Sequence, residues 1–388
     1  MTRRQMLRLG IGGCIGASVL PLGKFGYHKY QVHQLGSQSR NFQVTGDRAL
    51  VERAAVKGVI YGAATQQQFL AADPAFAKNF LKECRMIVTE NDLQWNQVHP
   101  TPEQFDFAAA DALLNFAKTN GLLFRGHNLV WHHSLPRWYR EKVNAQNAEE
   151  YLIKHIQTLV RRYAGQVHSW DVVNEAINPK SGRSDQLRQT PWLEFLGPSY
   201  IETAFILAAE ADPQALLVYN DFEMDYDRPE DEAKRTAVLG LLERLKSRDV
   251  PVHALGLQAH LWGAETRFNA KILSNFLRSV ADLGLKILVT ELDVTDKVLP
   301  ADQALRDRII ASAYEDYLNV VLDEPAVIAV LTWGLSDKYT WLSEFSPRSD
   351  KLPVRPLPLD TSFKRKLTWN AIARAFDNAP IRSNSHLR

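Results

Sequence analysis

Cysteine is nearly absent: the 388 residues hold 2, Cys14 and Cys84. With Cys14 near the start, Cys84 is alone in the rest of the chain and cannot close an intrachain bridge. The fold must therefore stand on its apolar core, even in an oxidising compartment. An excess of one charge is also missing, since 46 Lys and Arg face 44 Asp and Glu, a formal net charge of +2. No global field draws the chain to nucleic acid or to an anionic membrane, and neither is expected as a partner. The first apolar run is not followed by a Gly-rich phosphate turn, which weakens a doubly wound open sheet as an alternative fold. No internal repeat and no second domain are visible. No helix pattern carries paired histidines around a glutamate, so His127, His132, His133 and His260 read as hydrogen-bonding residues. Neither a metal nor another cofactor is expected.

What is present is apolar and aromatic. A hydrophobic content of 45% in a chain of this length can bury a large core. Nine tryptophans are many; about half suit core positions, and aromatic faces also stack on sugars.

The first residues are not fold material. Arg3 and Arg4, then Leu7 and Arg8, precede an apolar, Gly-rich run from Leu9 to Leu22. This order is that of a twin-arginine export signal over residues 1–23, with periplasmic or extracellular location as the expectation. No small-x-small cleavage site stands out after Ala17, so retention as a membrane anchor is the alternative. Cys14 lies too early in the apolar run for a lipoprotein site. Residues 24–46 are polar and aperiodic and read as a linker, and residues 381–388 as a polar tail.

Between them, over residues 47–380, short apolar runs alternate with amphipathic segments. Strands are expected at Gly58 to Ala63, Met86 to Thr89, Leu122 to Leu129, Ser169 to Val173, Leu216 to Tyr219, Ala254 to Ala259, Lys286 to Thr290 and Val327 to Thr332. Helices are expected after Asp73-Pro74, then at Ala108 to Thr119, Asn147 to Tyr163, Ser199 to Ala211, Pro229 to Lys246, Asn269 to Leu283, Asp302 to Leu322 and Trp369 to Phe376. This count predicts an α/β fold, a single closed (β/α)8 TIM barrel with enlarged loops.

In such a barrel the carboxyl ends of the strands face the ligand. Those ends read Thr89-Glu90-Asn91, His127 through His133, Asn174-Glu175, Asn220-Asp221, Gln258-Ala259-His260, Glu291-Leu292-Asp293 and Thr332-Trp333-Gly334. Acids, amides, imidazoles and indoles thus gather on one rim. The strands that stop on Glu175 and Glu291 are otherwise apolar, which pins two carboxylates rigidly. Two such groups suit glycoside hydrolysis, one protonating the departing oxygen while the other attacks the sugar or activates water.

The order of motifs closely resembles glycoside hydrolase family 10, the retaining endo-xylanases built on a (β/α)8 barrel. The resemblance runs from about Val56 to Phe376. It rests on Glu90-Asn91 with Trp95, Gly126 to His132, Trp170 to Ala176, Gln258-Ala259-His260, Thr290 to Asp293, and Trp333 to Asp337 with Trp341. It implies that Glu175 is the acid/base and Glu291 the nucleophile. It further implies that Asn174, His260 and Asp293 support them, and that Glu90, Asn91, His127, Trp131, Gln258, Trp333 and Trp341 bind the glycone. A monomer acting on xylan or xylo-oligosaccharides follows.

The chain departs from the family's pattern at four places. Gln94 stands where lysine is usual, Ser134 where glutamine is usual, and Phe222 and Glu223 where tyrosine and asparagine are common. A barrel acting on another β-glycan, or one that only binds sugar, are the alternatives these departures raise.

Overall fold

Branched and aliphatic residues dominate the short runs because each becomes a strand covered on its outer side by helices. A computed structural model describes residues 40–382. Its strands are β1 (Ile60–Thr65), β2 (Met86–Thr89), β3 (Leu123–Val130), β4 (Ser169–Asn174), β5 (Leu216–Asp221), β6 (Ala254–Leu257), β7 (His260–Trp262), β8 (Lys286–Thr295) and β9 (Val327–Thr332). All pair in parallel. The order β6-β5-β4-β3-β2-β1-β9-β8 closes through β6 on β8, giving an eight-stranded barrel. The short β7 continues β6 beyond a break and pairs with β8 at His260 and Asp293. At that break Ala259 adopts a left-handed conformation, φ 59°.

Helices follow the strands much as their periodicity predicts. Side chains of Asp73, Asn269 and Asp302 cap Pro74–Glu83, Ala270–Asp282 and Gln303–Val321 by accepting backbone N–H groups. Six short helices, Leu50–Val56, Gln67–Ala72, Trp95–Val98, Arg137–Lys142, Pro191–Leu196 and Leu342–Phe345, were not expected, since one or two turns carry too little periodicity to stand out. The barrel interior is filled by one cluster including Ile60, Met86, Val88, Val218, Leu288, Ile328 and Leu331, closed toward the rim by Trp333. A far larger cluster lies between strands and helices. Gly126 is needed where β3 meets β4, because a Cβ there would sit 2.2 Å from the Trp170 ring.

Expectations change in β8 and at both ends of the barrel domain. β8 does not stop at Thr290 but runs on to Thr295, so Glu291 lies inside a strand; Leu292 pairs with Thr332 and Val294 with Leu261. Residues 40–46, assigned to the linker, pack on the barrel: Phe42 is buried and Arg40 pairs with Asp316 at 2.7 Å. Arg382, assigned to the tail, donates to the Leu322 carbonyl. The export signal of residues 1–23 and the rest of the linker and tail lie outside the described residues. Among the described residues no helix is long and apolar enough to cross a membrane.

Candidate active site

Glu291 is held by its side chain. Asn220, fully buried at the end of β5, donates from Nδ2 to Glu291 Oε1 at 2.7 Å and to Asn174 Oδ1 at 2.8 Å. The Thr290 hydroxyl donates to Asn220 Oδ1 at 2.7 Å, which fixes the amide's orientation. Room for that side chain depends on Gly256, where a Cβ would meet Asn220 Oδ1 at 2.2 Å. The other oxygen, Glu291 Oε2, lies 3.1 Å from His260 Nε2, and His260 Nδ1 lies 2.9 Å from Asp293 Oδ1. Burial opposes a charge on His260, but Asp293 and Glu291 outweigh it and push its pKa up to about 10. As an imidazolium it donates to both carboxylates. Trp341 Nε1 donates to the second Asp293 oxygen at 2.7 Å.

Glu175 is held largely through its main chain. It sits just past β4 with φ 58°, a left-handed conformation that costs a non-glycine residue about 1–3 kcal/mol. Its N–H donates to the Asn220 carbonyl at 2.9 Å, and its carbonyl accepts Arg188 Nε at 2.7 Å. Lys234 Nζ donates to the Ile177 carbonyl at 2.7 Å and pairs with Asp221 at 2.7 Å, both partners buried. The Phe222 ring packs against both cations, 5.6 Å from Arg188 and 4.6 Å from Lys234. On the side chain, Gln258 Nε2 and Asn174 Nδ2 donate to Oε1 at 3.1 and 3.4 Å. An oxygen that accepts two N–H groups is a poor place for a proton, so Oε2 is the atom to carry one.

Burial raises the Glu175 pKa, while His132, Trp131, Arg188 and Gln258 lower it, with the balance below the ordinary value. His132 itself, however, is pushed down to about 3 by burial. It is uncharged in the neutral range, which removes the largest of the influences that lower Glu175.

Around this pair, His127 Nδ1 lies 2.9 Å from Asp171, which also pairs with the buried Arg125, and 4.0 Å from Glu291 Oε1. Burial works against a charge on His127, yet Asp171 and Glu291 raise its pKa. Trp333 packs edge-on against His127 and His260, and Trp341 lies against His260. Trp131 lies 6.1 Å from the His127 ring. Glu90 is buried at the end of β2, and burial raises its pKa to about 7, with Asp92 adding to the shift and Gln66 and His127 opposing it. Gln94 donates to the Glu90 carbonyl at 3.3 Å. Asn91 follows Glu90 at the strand end and touches neither catalytic candidate through any described bond. Of the nine tryptophans, six are buried: Trp95, Trp138, Trp170, Trp192, Trp333 and Trp369.

The sequence-derived set thus converges on one rim. Asn220 stood at one of the strand ends but was given no role, and Asp171, Arg188 and Lys234 were missing from the set. Arg188 and Lys234 come from a loop and a helix whose patterns are ordinary.

A closed parallel barrel whose carboxyl rim holds two buried carboxylates, joined by amides and flanked by indoles, defines a barrel glycosidase. The sequence profile of glycosyl hydrolase family 10 matches residues 49–375, and the chain belongs to that family. A β-1,4-xylanase of Dictyoglomus thermophilum is 36% identical over 68% of this chain and 75% of its own length. Endo-1,4-β-xylanase B of Paenibacillus barcinonensis is 34% identical over 81% of this chain and 94% of its own. Among solved structures, xylanase 10B of Thermotoga maritima superposes with a TM-score of 0.77 at 31% identity, covering 85% of this chain and 98% of that one.

Proposed function

We propose that the chain is a retaining endo-β-1,4-xylanase that cuts internal xylosidic bonds by double displacement. The observation that carries this is the amide network from Glu175 through Gln258, Asn174 and Asn220 to Glu291, which ties two carboxylates into one rigid unit. Retention requires carboxyls about 5–5.5 Å apart, the separation this reading expects across the network.

In the first step Glu291 attacks the anomeric carbon while Glu175 gives its proton to the glycosidic oxygen, and the aglycone leaves. In the second, Glu175 takes a proton from water, whose oxygen displaces Glu291 from the same carbon. The His260 imidazolium favours the carboxylate form of Glu291 and so its departure. Glu90, Asn91, His127, Trp131, Trp333 and Trp341 surround the glycone. The xylanase names of the relatives support xylan as the substrate.

The test is hydrolysis of xylan and of an aryl β-xylobioside, with the product anomer read by NMR. The intact chain yields the β-anomer first. Glu291→Ala loses turnover on both substrates by on the order of 10⁴-fold or more, as for other covalent nucleophiles. Glu175→Gln loses about 10²–10⁴-fold on xylan, and far less on an aryl glycoside whose phenol leaves without a proton. An intact chain inert on both substrates, or Glu291→Ala with normal turnover, overturns the proposal. We also propose export through residues 1–23; activity that stays cytoplasmic in a host with a working twin-arginine pathway counts against it.

A further inference from the structure

The turn after β3 carries two adjacent histidines, His132 and His133, that the displacement chemistry does not use. The barrel brings both beside Glu175, and one ligand atom from each of the three residues lies within 4.8 Å of the others. The two imidazole centroids are 4.1 Å apart, and the Trp131 ring flanks His133 at 5.1 Å. His132 Nδ1 is buried without a hydrogen-bond partner. This sets the pair apart from His127 and His260, whose Nδ1 atoms are both engaged by carboxylates.

We propose that His132, His133 and Glu175 form a binding site for a divalent transition-metal ion of the zinc or copper class, and that its occupation switches hydrolysis off. Two imidazoles and a carboxylate are a donor set that such ions prefer over magnesium or calcium. A neutral imidazole offers one nitrogen lone pair to a metal, and His132 Nδ1 is buried with no partner to compete for it. Donors on one zinc ion stand about 3–3.5 Å apart, given metal–ligand lengths of roughly 2.0–2.2 Å. The set must therefore contract slightly. His133 is exposed and can swing to close it. Bound metal would claim the carboxylate that has to carry the proton, and it would stand where the leaving oxygen passes. The inhibitory half of the proposal rests on Glu175 being the acid/base.

Two readouts test it on the full chain, freed of metal by chelation. Cobalt(II) is added as a spectroscopic probe, and the visible absorption of a nitrogen-ligated ion is followed in wild type, His133→Ser and Glu175→Gln. In parallel, aryl β-xylobioside hydrolysis is measured against zinc concentration in wild type and His133→Ser. Wild type is expected to show the cobalt bands and to lose activity with zinc, recovering it when EDTA is added. His133→Ser keeps its metal-free turnover but needs roughly tenfold or more zinc for the same inhibition, since even an outer partner of a metal ligand is worth about 10–100-fold. Absence of cobalt bands in wild type, or inhibition of wild type and His133→Ser by the same zinc concentration, overturns the site. Cobalt bands lost in both variants together with turnover indifferent to zinc would keep the site and overturn the role of Glu175, so the two failures are distinguishable.

Discussion

The two glutamates at the rim are held in opposite ways. Glu291 lies within a regular strand, and its carboxylate oxygens are each gripped, one by Asn220 and one by His260. Glu175 lies just past a strand in a left-handed conformation, and it is its backbone that is gripped, by Arg188 directly and by Lys234 two residues on. The difference matches the roles proposed for the two. A nucleophile stays unprotonated and keeps one direction of attack, so its oxygens can be fixed. A group that gives up a proton and takes one back needs an oxygen left open, so the chain is fixed instead and the side chain only steered.

The contrast is most sharply broken at Asn220, the residue that serves both sides. Asn220→Ala removes a preorganised donor from Glu291 and strands Asn174 and Thr290. The expected loss is about 10²–10³-fold in kcat on xylan and on aryl xylobioside alike. Steady-state kinetics on both substrates checks this, and a loss confined to xylan would mean that Asn220 serves only Glu175. Gly256→Ala should act in the same direction through overpacking, with about 1–3 kcal/mol of stability lost, read by urea unfolding.

Arg188→Met attacks one side only. With the Glu175 carbonyl released, a small displacement of the acid should cost about 10–100-fold on xylan, while an aryl substrate with an acidic phenol is largely spared. An equal loss on both substrates would show that the clamp supports the whole rim and not the proton donor.

His260 sharpens the nucleophile's side. Its folded pKa, about 10, stands above the ordinary 6.5. The stabilisation is thus fully present below about pH 6.5 and is lost as pH rises through about 10. The melting temperature should fall over that interval, and His260→Asn should flatten the fall. Equal slopes in thermal melts of both proteins would assign the loss to other groups.

Most of the frame was legible in the chain. Eight apolar runs marked the strands because a parallel sheet covered on both faces leaves no polar side, and Asp73, Asn269 and Asp302 marked helix starts by chemistry that is local. The carboxylates Glu175 and Glu291 stood out as polar residues closing or interrupting such runs. The clamps were not legible. Arg188 and Lys234 act on carbonyls, and a carbonyl has no sequence signature. Neither did the extension of β8 past Glu291 show, since Asp293 breaks the apolar pattern while the backbone ladder continues. The meeting of His132, His133 and Glu175 follows from β3 and β4 lying side by side, and no spacing encodes it.

The smallest expected effect lies away from both glutamates, where a third carboxyl is held in neither way. Glu90 is buried with its pKa raised to about 7, and Gln94, at a position where family 10 usually has lysine, gives it no cation. As pH rises through about 7 this carboxyl ionises and becomes the stronger acceptor for a sugar hydroxyl. KM on xylo-oligosaccharides should then fall, by about fivefold or less, the worth of roughly 1 kcal/mol between a charged and a neutral acceptor. Glu90→Gln should make KM indifferent to pH across this range. Gln94→Lys should move the transition to lower pH, because a nearby ammonium favours the carboxylate. A KM transition that stays at the same pH in Gln94→Lys would mean that residue 94 does not reach Glu90 electrostatically. The departure from the family's pattern would then bear on sugar contact alone.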